Sequence, residues 1–558
     1  MKNILIIVTI LCITACDDFL DVNQNPNDPT KAPLSSLLTS SEKNVADGLS
    51  IGSGNNGGIG TDLATYVHQQ TSRSNSDQYN VDGNGFWVNA IWVEYFQEAL
   101  ADIDVIIVQA NETKALTYSG IGKILKAYAF SQLVDVFGDV PFTEFNNFKV
   151  TSSPKFDDDA EIYPKLLKML DDGIADIDND KSVAALKPGN DDLIYAGNTI
   201  RWRKAANTIK LKLLNQIRLV KDVKSDVTLL LSKPDALINS EAESFLFPYG
   251  NLGATDDRHP GFGDYTATQR SNHISPWFYE ILKGYNKFVY TGIPDPRLPY
   301  YIYNQMTPAS ATPNPPEYRD GAFLSIYFGS VGKDRDHSQQ NAISLFGIYP
   351  VGGRYDDGNG GTANAGSGTG AAPYRFITYA DRLYIEAELV QQGLVTGDVN
   401  DLFKRAVNAS ISQVDYVVGS FVKPTQLVPK LSGSTAATTY VTKVNELFQN
   451  ASSGKKLEFI MTQKWLSNVG STVDQFTDYR RTGHPLFFDP KNSEMAPGGV
   501  VKSNAPNSNI AIAVQLNNPY PASIPWPTNE LERNRNAPAQ KMHLLIRCFG
   551  KNSINLKK

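Results

Sequence analysis

Cysteine is almost absent from this chain of 558 residues, and two of its three cysteines, Cys12 and Cys16, lie close to the N-terminus. Cys548 therefore has no partner in the body of the chain, which excludes a disulfide framework and a cysteine-based metal site. Histidine is scarce as well, with six scattered residues and no HExxH zinc motif. The fold must be stabilised by burial of a hydrophobic core, which a content of 41% hydrophobic residues allows.

Clusters of positive charge are also missing. The chain has 52 Lys and Arg residues against 58 Asp and Glu residues, a formal net charge of −6. Because a nucleic-acid-binding protein concentrates basic residues on one face, we expect no nucleic-acid partner. No segment presents the recognisable pair of carboxylates that a glycosidase needs, and we predict that the protein is not an enzyme.

Long apolar runs are limited to residues 4–12, which Thr9 interrupts. This run follows Lys2 and is shorter than the roughly 20 apolar residues that cross a bilayer. The pattern is typical of a removable export signal. We therefore predict a signal peptide at residues 1–15 and no membrane span in the rest of the chain.

The sequence Ile13-Thr14-Ala15-Cys16 resembles a bacterial lipobox, whose cysteine is acylated on sulfur and becomes the first residue of the mature protein. We predict lipidation at Cys16. Each buried methylene of an acyl chain contributes about 0.8 kcal/mol, so several chains would attach the protein to a membrane. Asp, Asn and Pro are frequent up to residue 33, and we interpret residues 16–33 as the lipidated anchor and a spacer.

Apolar residues recur every three or four positions in much of the remaining chain, which is typical of helices with one buried face. These stripes lie at residues 121–137, 162–177, 202–217, 376–390 and 457–465. Trp92, Trp202 and Trp465 occupy helical stripes and are predicted core residues. Short polar turns between the stripes favour antiparallel helix pairs like those of tetratricopeptide repeats, although the strict repeat signature is missing.

Gly, Pro, Asn and Asp interrupt the chain between residues 239 and 375, which excludes long helices there. Loops laid on a rigid scaffold often carry ligand contacts. We predict a helical part at residues 34–238, a loop-rich, ligand-facing part at 239–375, and C-terminal helices with a tail at 376–558. Together, residues 34–558 are expected to form one compact unit that is mainly α, with few short strands.

Eight segments behind the lipobox resemble, in the same order, the SusD/RagB outer-membrane lipoproteins, especially the SusD-like nutrient-binding branch. They are FLDVNQNPNDPT (19–30), LKAYAFSQLVDVFGDVPFTEF (125–145), RWRKAANTIKLKLLNQIR (201–218), DPRLPYYI (295–302), FITYADRLYIEAELVQQG (376–393), KLEFIMTQKWLSN (456–468), FTDYRRTGHP (476–485) and PWPTNELERN (525–534). The resemblance covers most of the chain. The end of the chain, KMHLLIRCFGKNSINLKK, departs from the aromatic tail that is common in this branch.

Several residues in these motifs also have a purely structural interpretation. Gly138 is predicted to end its helix in a left-handed conformation, and Asp135 and Asp139 to hold the turn that follows. Arg480 and Arg481 are predicted to bind buried carboxylates or backbone carbonyls and not a substrate.

The resemblance implies a surface protein that captures a nutrient and delivers it to a SusC-like TonB-dependent transporter. In the family the ligands are mostly glycans, so an oligosaccharide is the expected ligand. Asp17 and Asp18, directly after the lipidated cysteine, imply a lipid-anchored position on the outer membrane that faces the cell exterior. A binder of peptides or other nutrients on the same scaffold is one alternative, and a lipid-anchored hydrolase is another.

Sugar rings bind through their apolar faces to aromatic side chains, with hydrogen bonds from polar groups at the rim. The first candidate segment places such groups around a flexible turn: Tyr79, Asn80, Asp82, Asn84, Phe86 and Trp87. The second candidate lies in the mid-chain loops: Tyr265, Arg270, Asn272, His273 and Trp277. Trp87 and Trp277 are also compatible with a place in the core.

A third, weaker candidate comprises Tyr355, Asp356 and Asp357 in a Gly-rich stretch that also fits a mobile surface loop. The strings DGNG at 82–85 and DDGNGG at 356–361 are similar to calcium-binding loops, but they lack the alternating ligands and the terminal Glu of an EF-hand. We therefore predict no cofactor, and calcium is the one ion left open.

Overall fold

Helices dominate the computed structural model of this protein. It describes residues 32–541 apart from 54–56, 74, 81, 148, 251–255, 268–269, 333, 338, 490–491 and 498–517. The predicted signal peptide, the lipidation site Cys16 and the divergent C-terminal tail lie outside the described residues.

The described chain up to Leu231 consists mostly of helices. They are α1 (Leu34–Leu49), α2 (Gly60–Tyr66), α3 (Phe86–Val93), α4 (Leu100–Thr113), α5 (Leu116–Phe137), α6 (Asp159–Ile177), α7 (Thr199–Ile217) and α8 (Lys224–Leu231). A π-helical segment, Glu94–Ala99, joins α3 to α4. Only two residues separate α4 from α5, so these packed helices must run antiparallel, and α5–α6 and α6–α7 are packed pairs as well.

Among the described residues, the middle of the chain has four short α-helices, and longer ones return after it. The middle helices are α9 (Gly263–Thr266), α10 (Pro276–Lys283), α11 (Leu298–Tyr301) and α12 (Ile348–Val351). The later ones are α13 (Tyr379–Gln391), α14 (Val399–Val417), α15 (Thr435–Gln449), α16 (Ser453–Ser467), α17 (Val473–Thr482) and α18 (Thr528–Arg533). The predicted mainly α fold with paired helices is confirmed.

The strands of the described chain form antiparallel pairs of two to four residues per strand. They are β1 (Gln70–Ser72) with β5 (Asn272–Ile274), β2 (Val140–Pro141) with β3 (Phe156–Asp157), β4 (Phe245–Phe247) with β10 (Tyr374–Ile377), β6 (Ile302–Tyr303) with β9 (Leu345–Phe346), and β7 (Tyr318–Asp320) with β8 (Phe323–Ser325). Two of these pairs, β1–β5 and β4–β10, connect distant parts of the sequence and attach the middle region to the helices.

Helix α5 differs from the expectation of a single buried face, because almost every residue from Thr117 to Phe137 is buried. The reason is its central position, with α1, α4, α6, α7 and α17 packed around it. Gly138 ends the helix with φ of +69°, as predicted, but its ψ of −120° lies in a region open to glycine and not in the left-handed helical region.

The motif residues in the core have structural roles, but Asp135 binds side chains of the neighbouring helices α6 and α7 and not the turn that the sequence predicted. Trp92, Trp202 and Trp465 are buried. The buried carboxylate of Asp135 accepts hydrogen bonds from Tyr163 Oη and Gln216 Nε2. Asp139 Oδ1 accepts from the backbone N–H of Asp159 at 3.0 Å, which holds the start of α6.

The two arginines of α17 act as predicted. Arg480 donates to the backbone carbonyls of Ala522 and Asp135, and Arg481 binds the carboxylates of Glu388 and Asp478. None of the helices within the described part of the chain has both the length and the apolarity that crossing a bilayer would require.

Candidate functional site

The first candidate segment begins inside the protein and continues on its surface. Tyr79 is only 6% exposed, and its hydroxyl lies 2.7 Å from Nε2 of the buried His68. The expectation that Tyr79 faces a ligand is therefore corrected, because its polar atom already has a partner in the core. Asn80, Asp82 and Asn84 are exposed, as a polar rim would require.

Phe86 and Trp87, the first residues of α3, form an aromatic pair at the surface. Their ring centroids are 4.8 Å apart with the planes at 87°, Phe86 is 51% exposed, and Trp87 is half-buried. A Cβ atom at the neighbouring Gly83 would lie 2.4 Å from the carbonyl oxygen of Trp526, so only glycine allows this approach of the C-terminal segment. The backbone N–H of Thr528 donates to Gly83 at 2.9 Å, which fixes the turn beside the aromatic pair.

The second candidate segment is mostly buried. Tyr265 and Trp277 are each 1% exposed, and they donate to the backbone carbonyls of Phe346 and Leu486. These two rings belong to the core, which corrects the expectation that they contact a ligand. Aromatic residues in a Gly-rich loop look the same in sequence whether the loop folds over them or presents them.

Arg270 and His273 line a small cavity of about 110 Å³. Strand pairing places Thr71 opposite His273 and thereby brings Arg73 to the same cavity. Asn272 is half-buried and donates to the carbonyl oxygen of Gly52 at 2.9 Å, so it holds the strand in place.

The other polar residues of this wall, His337, Gln339 and Gln340, come from a later loop. Neither these residues nor Arg73 could be singled out from the sequence, because only the tertiary packing of three-residue strands and loops brings them together. The one available signal was the position of Arg73 shortly before the first candidate segment.

The wall of this cavity is rich in positive charge. Arg270 is held by the backbone carbonyls of Asp264 and Gln340. Arg73 donates to the backbone carbonyl of Asp336 at 2.7 Å, and the carboxylate of Asp336, which is 80% exposed, lies 3.8 Å from Arg73 Nε. Burial lowers the pKa of His273 to about 4, so this ring is neutral at pH 7.

The third candidate, Tyr355 to Asp357, uses its polar groups within its own loop. The Tyr355 ring packs on Tyr300 with centroids 4.9 Å apart, and Asp356 accepts from Asn304 Nδ2 at 2.5 Å. Asp357 accepts from Gln426 Nε2 at 3.2 Å. These contacts hold the loop on the scaffold.

Within the described residues, one group of carboxylates lies close enough together to consider a metal, namely Asp139, Asp158 and Asp159. Asp139 and Asp158 each accept a backbone N–H at the start of α6, which explains their positions. The group involves neither of the two strings similar to calcium loops.

Residues 48–52, GLSIG, match the Gly-x-Ser-x-Gly pattern of serine hydrolases. In such enzymes the serine lies on a sharp turn between a strand and a helix, with its hydroxyl exposed. Here Ser50 follows the end of helix α1, is fully buried, and donates to the carbonyl oxygen of Asp47 at 3.0 Å. The geometry is not that of a nucleophile elbow.

A larger groove of about 520 Å³ lies between α14 and α15. Tyr379, Arg405, Asn408 and Thr438 are among its lining residues. Arg405 is 3.5 Å from Asp401 on its own helix. No sequence motif singled out this groove, and it is a second place where a ligand of suitable size would fit.

A SusD-like family described as starch-binding and associating with the outer membrane matches residues 26–504. The chain belongs to this SusD-like family. The match confirms the resemblance drawn from the eight segments. Proteins of the SusD-like family are nutrient-binding proteins associated with the outer membrane.

Solved structures share the SusD-like fold over most of their length. A chitin-binding protein is 19% identical, with a TM-score of 0.64, and the alignment covers 90% of this chain and 95% of that one. A SusD homologue from Bacteroides fragilis is 18% identical, with a TM-score of 0.62 and coverage of 90% and 94%. A SusD/RagB family protein from Bacteroides thetaiotaomicron is 17% identical, with a TM-score of 0.62 and coverage of 91% and 95%. A search of the curated proteins found no match.

Proposed function

We propose that this SusD-like protein is a lipid-anchored protein of the outer cell surface that binds an oligosaccharide and delivers it to a SusC-like TonB-dependent transporter. The proposal of an oligosaccharide ligand is supported by the surface pair of Phe86 and Trp87, which lies beside three exposed polar residues, Asn80, Asp82 and Asn84. An aromatic face next to several polar groups suits a sugar ring, which has apolar faces and hydroxyls at its edge.

Binding without catalysis is the second part of the proposal. The family is described as starch-binding, and a neighbour of the same fold is named as a chitin-binding protein. In the first candidate segment, the exposed polar side chains lie beside an aromatic surface, and in the third they hold their own loop. A binding surface of this kind needs no nucleophile.

Isothermal titration against a panel of oligosaccharides and peptides tests the ligand. We expect an oligosaccharide to bind, and Phe86→Ala and Trp87→Ala each to weaken it by about threefold to tenfold, since an aromatic contact contributes about 0.5–1.5 kcal/mol. Phe288→Ala, which alters an exposed ring of the mid-chain part, serves as the matched control. If only peptides bind, the ligand is a peptide nutrient and not an oligosaccharide.

Two further results would change the proposal. If Asn408→Ala weakens binding and the Phe86 and Trp87 variants do not, the ligand occupies the groove between α14 and α15. If purified protein releases products from any oligosaccharide over time, the alternative of a lipid-anchored hydrolase is correct.

Co-purification from detergent-solubilised outer membranes tests the partner and the anchor. We expect a large TonB-dependent barrel to accompany the protein, and mass spectrometry to find acyl chains on Cys16. A Cys16→Ala variant should no longer be found in the membrane fraction. An unacylated mature chain in the periplasm would contradict the proposed anchor.

A further inference from the structure

The small cavity lined by Arg73, Arg270 and Gln339 has hydrogen-bonding groups that the fold leaves unused. Gln339 is 6% exposed, and its Nε2 donates to the carbonyl oxygens of Asn314 and Pro315. Its Oε1 is buried and receives no hydrogen bond within the described part of the chain. Arg73 Nε donates no hydrogen bond there either, and the exposed carboxylate of Asp336 lies 3.8 Å from it. Buried polar atoms are normally paired, so an unpaired donor and an unpaired acceptor on one wall indicate a missing partner.

The charge of the wall is positive. Arg73 and Arg270 are both guanidinium groups, which stay protonated, and the residues that line the cavity include no Asp or Glu. Two acidic residues lie next to these arginines without lining the cavity. Asp336, 3.8 Å from Arg73 Nε, is 80% exposed to solvent, and Asp264, whose backbone oxygen accepts from Arg270, has a buried carboxyl whose pKa burial raises to about 6. An anionic group in the cavity would therefore contact hydrogen-bond donors and no acidic side chain of the cavity lining.

We infer that this cavity binds the carboxylate of an acidic sugar, a uronic-acid residue of the oligosaccharide. A carboxylate supplies the acceptor for the Arg73 and Arg270 guanidiniums, whose planar forks match it. A neighbouring sugar hydroxyl supplies the donor for Gln339 Oε1. The inference rests on the proposed function as an oligosaccharide binder and names the class of its ligand.

The size and position of the cavity agree with this assignment. The cavity volume of about 110 Å³ is well below the roughly 300–1,000 Å³ of pockets that enclose a whole small-molecule ligand, so it suits one charged group with part of its ring and not an oligomer. Asn80 lies seven positions after Arg73, which limits the distance between the cavity and the exposed segment to about 25 Å. Different units of one oligosaccharide would thus occupy the two places.

The test uses pairs of ligands that differ only in charge. The full protein is titrated with oligomers of galacturonate, of glucuronate and of mannuronate, each as the free acid and as its methyl ester, and with a sulfated neutral oligosaccharide. We expect at least one uronate to bind about tenfold or more tightly than its ester, which corresponds to about 1.4 kcal/mol. In Arg73→Gln this preference should fall below about threefold, since a charge-assisted hydrogen bond is lost.

Two control variants distinguish the loss of the Arg73 guanidinium from a general change in the charge or the fold of the protein. Arg203→Gln changes a partly exposed arginine of α7, which pairs with Asp178, and should keep the preference. Arg73→Lys keeps the charge without the planar fork and should keep part of it. Because Arg73 is partly exposed, its variants should fold like the original protein, which circular dichroism checks.

The outcomes distinguish this inference from the function itself. Equal binding of acid and ester, or binding of neutral or sulfated oligosaccharides alone, would overturn the inference and leave the oligosaccharide proposal intact. Tighter binding of an acidic peptide than of any uronate would overturn it as well. If no oligosaccharide of any kind binds, both the inference and the proposed function fail.

Discussion

Glu388 of α13 is a fully buried carboxylate between two guanidinium groups. Its oxygens accept from Arg218 Nη2 at 2.7 Å, from Arg481 Nη2 at 2.9 Å and from Asn215 Nδ2 at 2.8 Å. Burial alone would raise the pKa of Glu388, but the charges of Arg481 and Arg218 outweigh it and lower this pKa to about 2. The carboxylate therefore stays ionised and joins α7, α13 and α17 by charge.

Replacement of Glu388 by Gln should destabilise the protein strongly. Arg218 and Arg481 would remain buried without the negative charge that balances theirs. We expect a loss of about 3–5 kcal/mol in the free energy of unfolding, measured by urea denaturation. Glu446→Gln, at an exposed position of α15, should change it by less than about 0.5 kcal/mol. Similar values for the two variants would show that the network contributes little.

Glu42 of α1 shows the opposite behaviour. It is fully buried, and burial, together with the nearby Asp192, raises its pKa well above the usual range. Asp192 already accepts N–H donors from Ile194, Tyr195, Gly197 and Trp202. A protonated Glu42 can donate to this carboxylate, whereas an ionised Glu42 would repel it.

The variant Glu42→Gln should keep the donor and remove the charge. The raised pKa means that the folded state of the original protein holds this proton after the unfolded state has lost it. The contribution of Glu42 to the free energy of unfolding is therefore fully present below its ordinary pKa of 4.5. This contribution is lost as the pH rises through the raised pKa of the folded state. We expect the variant to be at least as stable at pH 7 and to lose this part of the pH dependence in urea titrations. A loss of more than about 1 kcal/mol at pH 7 would contradict a protonated Glu42.

At the scale of elements, helices α5 and α6 approach each other through two glycines. A Cβ atom on Gly120 would lie 2.6 Å from the carbonyl oxygen of Gly173, and a Cβ on Gly173 would lie 2.9 Å from that of Gly120. Both distances are shorter than van der Waals contact, so the absence of side chains sets the separation of this pair.

Gly120→Ala should therefore destabilise the protein by about 1–3 kcal/mol through overpacking, although alanine favours helix more than glycine does. Gly454 in α16 offers the matched control, because nothing lies within 4 Å of its added Cβ. Gly454→Ala should stabilise the protein by up to about 1 kcal/mol. Thermal unfolding of both variants measures the difference, and shifts in the same direction would show that the helix contact is not tight.

The long helices could be predicted from the sequence, whereas the cavity formed by short strands could not. The long helices repeat apolar residues over several turns, so periodicity located them, and the capping box of Thr378 and Asp381 marks one start clearly. The cavity depends instead on β1 and β5, strands of three residues that are some two hundred positions apart. Local patterns contain no information on such pairings. For this reason Arg270 and His273 were singled out by residue type, while Arg73 and Gln339 were missed and Tyr265 was placed on the wrong side of its loop.

At the scale of the whole molecule, the segment Val67–Gln69 connects distant parts of the chain. His68 is stacked between Phe328 and Phe487, with centroids at 4.0 and 4.8 Å. Trp465 Nε1 donates to the carbonyl oxygen of Val67 at 2.8 Å, and Gln69 Nε2 donates to that of Trp465 at 3.0 Å. The helical, loop-rich and C-terminal parts that the sequence suggests thus share one buried interior.

We expect these parts to unfold together. Removing residues 239–558 would leave His68 without both stacking partners and β1 without β5, so a fragment of residues 34–238 should not reach a stable fold of its own. Calorimetry of the chain from residue 32 onwards should give a single cooperative transition, with calorimetric and van't Hoff enthalpies in agreement. Trp465→Ala should shift that whole transition to lower temperature, since it removes a buried ring and its contact with Val67. Two resolved transitions, or a fragment with its own cooperative unfolding, would instead show that the N-terminal helices form an independent domain.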